Sequence, residues 1–258
     1  MKWKYIIMDS ASVVATFAGK KTMTRRVVPW KPYHDGDEIN SNSSAMSLGH
    51  YCTGVPESGH VLYSRGHGGC WNQRTKPVFP KYQIGDGLYV KETFADLRPA
   101  NLITVCGNQI IYKASNPQYE RTLVARLKEM TGKGWTPARY MPKLAARLFI
   151  RITNVRVEWL HQITDKDVLL EGLSCLSKDN GTTYKYGLPD LDGLPGNDNF
   201  GWHWSQWESS PIKAFEKRWN ALNAERGHEF SSNPAVFVYE YKLEEVTFDG
   251  NEFITNGI

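Results

Sequence analysis

The residues best suited to chemistry stand together near the start of the chain. Gly19-Lys20-Lys21-Thr22-Met23-Thr24-Arg25-Arg26 places two hydroxyls among four cations. A threonine hydroxyl is inert as a nucleophile until a base takes its proton, and a lysine serves as that base once burial or neighbouring cations depress its pKa. Arginines in the same run suit phosphate oxygens and guanine edges. If 22–26 is extended, alternate residues share a face, with Thr22, Thr24 and Arg26 on one side and Met23 and Arg25 on the other. The run therefore suits an anionic or nucleotide-like ligand, with Thr22, Arg25 and Arg26 as binding residues. The plainer alternative is a solvated basic turn.

Such residues must be positioned by the elements around them. A short strand is predicted over 3–8. The apolar run over 10–17 predicts a helix, ended by Gly19 as a left-handed cap, so that the basic run leaves the helix on a turn or strand. Residues 88–94 are β-prone, and Tyr89 there offers either a ring for stacking a base or a core side chain. The apolar positions of 148–160 predict a long strand whose phase slips near Asn154, the mark of a bulge. Thr164 as N-cap with Asp167 closing a capping box predicts a helix that ends at Gly172. Ser210-Pro211 starts another helix, with Ile212, Phe215, Trp219 and Leu222 on one stripe, and Gly227 ends it. A last strand follows over 234–241. A hairpin over 102–112, turning at Gly107-Asn108, and a helix over about 118–130 are also predicted.

Two stretches, 30–80 and 174–208, are rich in Gly and polar residues and read as long irregular insertions. The first holds His50-x-Cys52 and His67-x-x-Cys70, residue types that bind zinc, at a spacing that matches no compact finger. No metal and no cofactor is therefore expected. Residues 246–258 read as a loose tail. The whole is an α+β chain: a single domain over 1–245, built as a small, partly open β-barrel with flanking helices and two insertions, not a doubly wound parallel sheet.

Composition narrows the function classes. The 258 residues carry a formal charge of only +4, so any nucleic-acid contact is local and not a polyanion-coating surface. The apolar run of the N-terminus is short and broken by Asp9, and no stretch reaches the ~18 apolar residues of a membrane span, which points to a cytoplasmic protein without membrane contact. Four scattered cysteines without a CxxC fit a reducing compartment.

Several segments, in order, resemble the ASCH domain, a relative of the PUA fold, in the long form seen in phage and prophage proteins. They are 17–26, 85–94, Met141-Pro142 with Arg147, the helix over 165–172, and Asn233-Pro234 with its strand. Together they cover about half the chain. The resemblance implies a PUA-like barrel and, by analogy with small bacterial members, an amidohydrolase that removes the acetyl group from N4-acetylcytidine. In those members a Lys, a Thr and a Glu carry function. The matching residues here are Lys21, Thr24 and Glu171. The expected partner is a modified nucleoside or a nucleic acid, RNA before DNA, in a bacterial host if the chain is phage-encoded. The rival readings are a non-catalytic RNA- or DNA-binding module, a nuclease using the insertion histidines, and a phage accessory protein whose insertions are contact surfaces.

Overall fold

The computed structural model describes residues 3–36, 39, 46–52, 54–96, 110–115, 128–129, 132, 134–190, 192–196, 201–248 and 253–255. The fold is mixed α+β. A five-stranded sheet organises it, built from β1 (Lys4–Ile7), β2 (Met23–Val27), β6 (Gly87–Lys91), β9 (Phe149–Trp159) and β12 (Ala235–Leu243), in the order β1-β6-β9-β12-β2. Only β1 and β6 are parallel neighbours; the other pairs are antiparallel.

The alternation of β12 explains the two layers. Ala235, Phe237, Tyr239 and Tyr241 point to one face, where they pack with Ile6, Leu88, Val90, Ile150 and Ile152. Val236 and Val238 point to the other, where they meet Met23. That second face is covered by α2 (Asp165–Leu170), through Val168, and by α3 (Pro211–Asn223), through Ala214, Phe215 and Trp219. The helical stripe over 212–222 is therefore core for most of its length, while Leu222 at its end is exposed. The expected bulge is present: the β9–β12 register shifts between Glu240, opposite Asn154, and Tyr241, opposite Ile152.

The edge strands β1 and β2 are not paired with each other, and the described residues form no closed barrel. What crosses the gap is a side chain: Arg26 Nη2 donates to the Ile7 carbonyl at 2.8 Å. The helix α1 (Ser10–Phe17) connects the two edges and is capped by Asp9, whose carboxylate accepts from the Ser12 amide at 2.8 Å.

Four sequence expectations need correction. Residues 30–80 are not irregular: β3 (Met46–Cys52), β4 (Val55–Arg65) and β5 (Trp71–Gln73) form a three-stranded antiparallel sheet. The buried apolar side chains of β4, Val61 and Leu62, are consecutive, so no alternating apolar pattern marks the strand. Residues 246–258 include a hairpin of β13 (Val246–Phe248) and β14 (Phe253–Thr255), and 174–208 holds a second hairpin of β10 (Ser174–Leu176) and β11 (Lys185–Gly187). Finally, β7 (Phe94–Asp96) is separate from β6 and pairs with β8 (Ile110–Tyr112), so the strand at 110–112 has a distant partner. The rest of the hairpin predicted over 102–112, and the helix predicted over 118–130 apart from 128–129, lie outside the described residues. Among the described residues no helix is long and apolar enough to cross a membrane.

Candidate functional site

The basic run is held by the helix it follows. Gly19 has φ of +68°, the left-handed geometry expected of the cap. The amides of Lys20 and Lys21 both then donate to the Ala15 carbonyl at 2.9 Å. The next amide, of Thr22, donates to the Leu170 carbonyl at 3.0 Å, and Lys21 forms a bridge with Glu171. The start of β2 is thus laid against the end of α2. That end is defined by its own signals: the Thr164–Asp167 capping box at its start, and Gly172, with φ of +97°, directly after Glu171.

Lys21, Thr24 and Glu171 all line one cavity of about 470 Å³ in the gap between β1 and β2, with Phe215 and Trp219 of α3 as a wall. Its volume lies within the range of small-molecule sites, roughly 300–1,000 Å³. Lys21 is only 5% exposed. Its Nζ donates to Glu171 Oε2 at 2.6 Å and to the Glu171 carbonyl at 2.8 Å. Burial holds the Lys21 amine below the ordinary lysine range, and Arg218 adds to this, while Glu171 and Asp9 oppose it. Burial wins that contest. Thr24 is also 5% exposed, and its hydroxyl makes no hydrogen bond to any described residue.

The two arginines of the run separate sharply, as strand alternation requires. Arg25 lies on the helix-covered face, with 1% of its side chain exposed. Its Nε and Nη2 donate to Glu158 Oε1 at 3.1 and 2.7 Å, Nη2 also to Asp167 Oδ2 at 2.8 Å, and Nη1 to Glu171 Oε1 at 3.2 Å. Arg25 lines the cavity with its donors engaged by three carboxylates, and through one of them it positions Glu171. Arg26 lies on the opposite face, is exposed, and lines the cavity.

Of the other candidates, Thr22 spends its backbone on Leu170 and on the Tyr241 amide, which donates to the Thr22 carbonyl at 2.8 Å, and it does not line the cavity. Tyr89 is also absent from the cavity wall; it sits half-buried on β6 with its ring centre 6.2 Å from that of Tyr5. Among the described residues the zinc candidates do not converge. The His50 ring packs 4.9 Å from that of His60, Cys52 and Cys70 are exposed free thiols, and the His67 side chain lies outside the described residues. Among the described residues no three His, Cys, Asp or Glu side chains come together as a metal site.

Asp9 and Arg218, which the sequence did not single out for function, also line the cavity and are ion-paired to each other. The available signal for Asp9 was its role as N-cap of α1. Arg218 carried none, because a cation on the polar face of a helix is ordinary. Arg226 and the His228 segment complete the mouth, where Trp219 Nε1 donates to the His228 carbonyl at 2.7 Å. Arg218 is paired with Asp9, and Lys21 and Arg25 are held by carboxylates, so the positive charge the cavity offers a ligand comes from Arg26 and Arg226.

Gly172 lets the end of α2 lie close against Ala15 and Lys21. A Cβ there would stand 3.0 Å from Ala15 Cβ and 3.2 Å from Lys21 Cβ, at a positive φ that L side chains rarely adopt. Gly172→Ala is expected to destabilise the fold by about 1–2 kcal/mol and to displace Lys21. Denaturant unfolding that matches the parent protein would contradict this.

Comparison with protein-family models, curated proteins and solved structures found no match to this chain. The site is therefore read from its own geometry.

Proposed function

We propose that this chain is a PUA/ASCH-like protein that binds a nucleoside, or a base within a nucleic acid, and hydrolyses the exocyclic amide of an N4-acylated cytosine. The observation that carries this reading is the meeting of Lys21, Thr24 and Glu171 in one nucleoside-sized cavity, with a buried lysine held 2.6 Å from the glutamate.

The chemistry follows from those groups. Glu171, held by Arg25, fixes the Lys21 amine through two acceptors, its carboxylate and its carbonyl. A neutral amine can make both hydrogen bonds and still keep its lone pair. That lone pair accepts the Thr24 proton as Oγ attacks the acyl carbon. The cations of the cavity stabilise the oxyanion that forms. Collapse of the intermediate breaks the C–N bond, and Lys21 returns the proton to the departing N4 amine. Water then cleaves the acyl-threonine ester, releasing the carboxylate and restoring the hydroxyl. The sum is amide plus water to amine plus carboxylate and a proton, which leaves to solvent.

Incubation of the purified protein with N4-acetylcytidine tests the reading: cytidine and acetate are expected in equal amounts. Thr24→Val keeps the shape and β-propensity of the residue while removing the nucleophile, and is expected to abolish release. If cytidine fails to appear, or Thr24→Val releases it at the parent rate, the mechanism is wrong.

The cationic mouth favours a second reading, a binding module without catalysis. It predicts nucleic-acid affinity that falls steeply with salt, weakens in Arg26→Ala and ignores Glu171→Gln. Affinity independent of salt would count against it.

A further inference from the structure

The gap between β1 and β2 does not end at the Lys21 cavity. A second cavity of about 360 Å³ continues along it and shares Ile7, Arg26 and Val27 with the first. Its wall has different chemistry. Tyr5, Phe79, Tyr82 and Tyr239 line it, with Lys81 and Arg26 as its cations. Phe79 is 56% exposed and Tyr5 42%, large apolar rings left open to the groove.

Two of the three tyrosine hydroxyls of the wall are already engaged. The Tyr82 hydroxyl donates to the Tyr5 carbonyl at 2.7 Å, and the Tyr239 hydroxyl accepts from the Lys81 amide at 3.1 Å. The groove therefore offers ring surface and positive charge, with few directional hydrogen-bonding groups. Lys81 Nζ sits 4.7 Å from the Tyr5 ring centre, and Lys91 Nζ lies 4.7 Å from the same ring. Aromatic rings interleaved with cations are what a single nucleic-acid strand uses: the rings stack bases of any identity, and the cations follow the backbone. Arg26 stands at the junction. Among the described residues it spends one N–H, on the Ile7 carbonyl, and the remaining donors of its fork match a phosphate.

Building on the reading of the Lys21 cavity as a base pocket, we infer that the site takes a single-stranded nucleic acid and not a free nucleoside. The base in the Lys21 cavity is the one acted on. Its neighbour in the strand stacks against Phe79 and Tyr5 in the second cavity, and the phosphate linking them lies against Arg26. The stacking subsite is tolerant of base identity, because ring faces dominate it and the Tyr82 and Tyr239 hydroxyls are committed to the fold.

The test uses short single strands, one RNA and one DNA, each with 2-aminopurine next to an N4-acetylcytosine, alongside free N4-acetylcytidine. Stacking on an aromatic ring quenches 2-aminopurine emission. At least one strand is expected to bind more tightly than the nucleoside, with quenching. Phe79→Ala is expected to weaken strand binding by about tenfold and to restore emission, with nucleoside affinity unchanged. Lys81→Ala, a second exposed substitution, is expected to reduce the dependence of strand affinity on salt. The inference is overturned if neither strand binds better than the nucleoside, if strands bind without quenching, or if Phe79→Ala changes nothing. Quenched binding without acetate release would sink the hydrolase and keep the stacking subsite. Equal acetate release from nucleoside and strand, unaffected by Phe79→Ala, would do the reverse.

Discussion

Lys21→Met is expected to lower the rate of N4-acetylcytosine hydrolysis by a factor of about 10²–10⁴, the usual worth of a positioned general base. The parent protein is expected to show a rate that rises with pH through the pKa of Lys21. Burial places that pKa below the ordinary 10.5 of lysine. The sign follows from which form is active: the ammonium has no lone pair, so activity is absent below the folded-state pKa and grows as the proton leaves. The same shift has a consequence for stability. Between the lowered folded-state pKa and the unfolded one, the unfolded chain binds the extra proton, so the contribution of Lys21 to stability rises with pH across that window. Rate–pH profiles of parent and variant, fitted together with denaturant unfolding at each pH, check both. A parent profile that is flat below pH 10, or a Lys21→Met protein with parental rate, would remove lysine as the base. Lys21→Arg is not expected to rescue, because a guanidinium keeps its proton throughout.

The basic run draws attention to Lys21 and Thr24, and only the family resemblance matches them with Glu171; local grammar fixes where they stand. Gly19 and Gly172 are stops that the backbone enforces, and the Thr164–Asp167 box fixes where α2 begins, so Lys21 and Glu171 each stand at a predictable distance from a cap. The alternation over 22–26 also holds, and it separates Thr24 and Arg26 from Met23 and Arg25 as expected. What alternation does not tell is which face meets helices. That depends on α3 docking some 190 residues later, and it is what leaves Arg25 buried against three carboxylates. The same limit hid Asp9–Arg218, a pair 209 residues apart in the chain. It hid the sheet over 46–73 for a different reason. That sheet is narrow and Gly-containing, with its burial concentrated at Val61 and Leu62, and it offers no period to read. The open edge between β1 and β2, which creates both cavities, is likewise a property of strand order and not of any strand.

Arg25→Met is expected to be the most destabilising single change in the site, although the two neighbouring arginines look equivalent in sequence. Its guanidinium is shared by Glu158, Asp167 and Glu171, whose side chains are 13%, 14% and 8% exposed. Removing it leaves carboxylates that were brought out of water against a cation now gone. Arg156 still reaches Glu158 at 3.0 Å and Asp167 at 3.6 Å, and Lys21 still holds Glu171, so the loss is partial. Breaking a buried pair by deleting one partner costs about 3–5 kcal/mol. For a chain of this size that corresponds to a fall in Tm on the order of 10 °C. Arg25→Lys is not expected to recover it, since a single ammonium cannot span three acceptors as a planar fork does. Arg26→Met, one residue along on an exposed edge, is expected to leave Tm within about 1 °C, because surface substitutions away from caps and cores stay near ±0.5 kcal/mol. Thermal unfolding of the two variants side by side decides the matter. Equal Tm values would mean that the carboxylates around Arg25 are solvated or protonated and that Glu171 is positioned by Lys21 alone. A large gap, together with lost hydrolysis in Arg25→Met at temperatures where it remains folded, would mean that the cation on the covered face holds the glutamate while the glutamate holds the lysine.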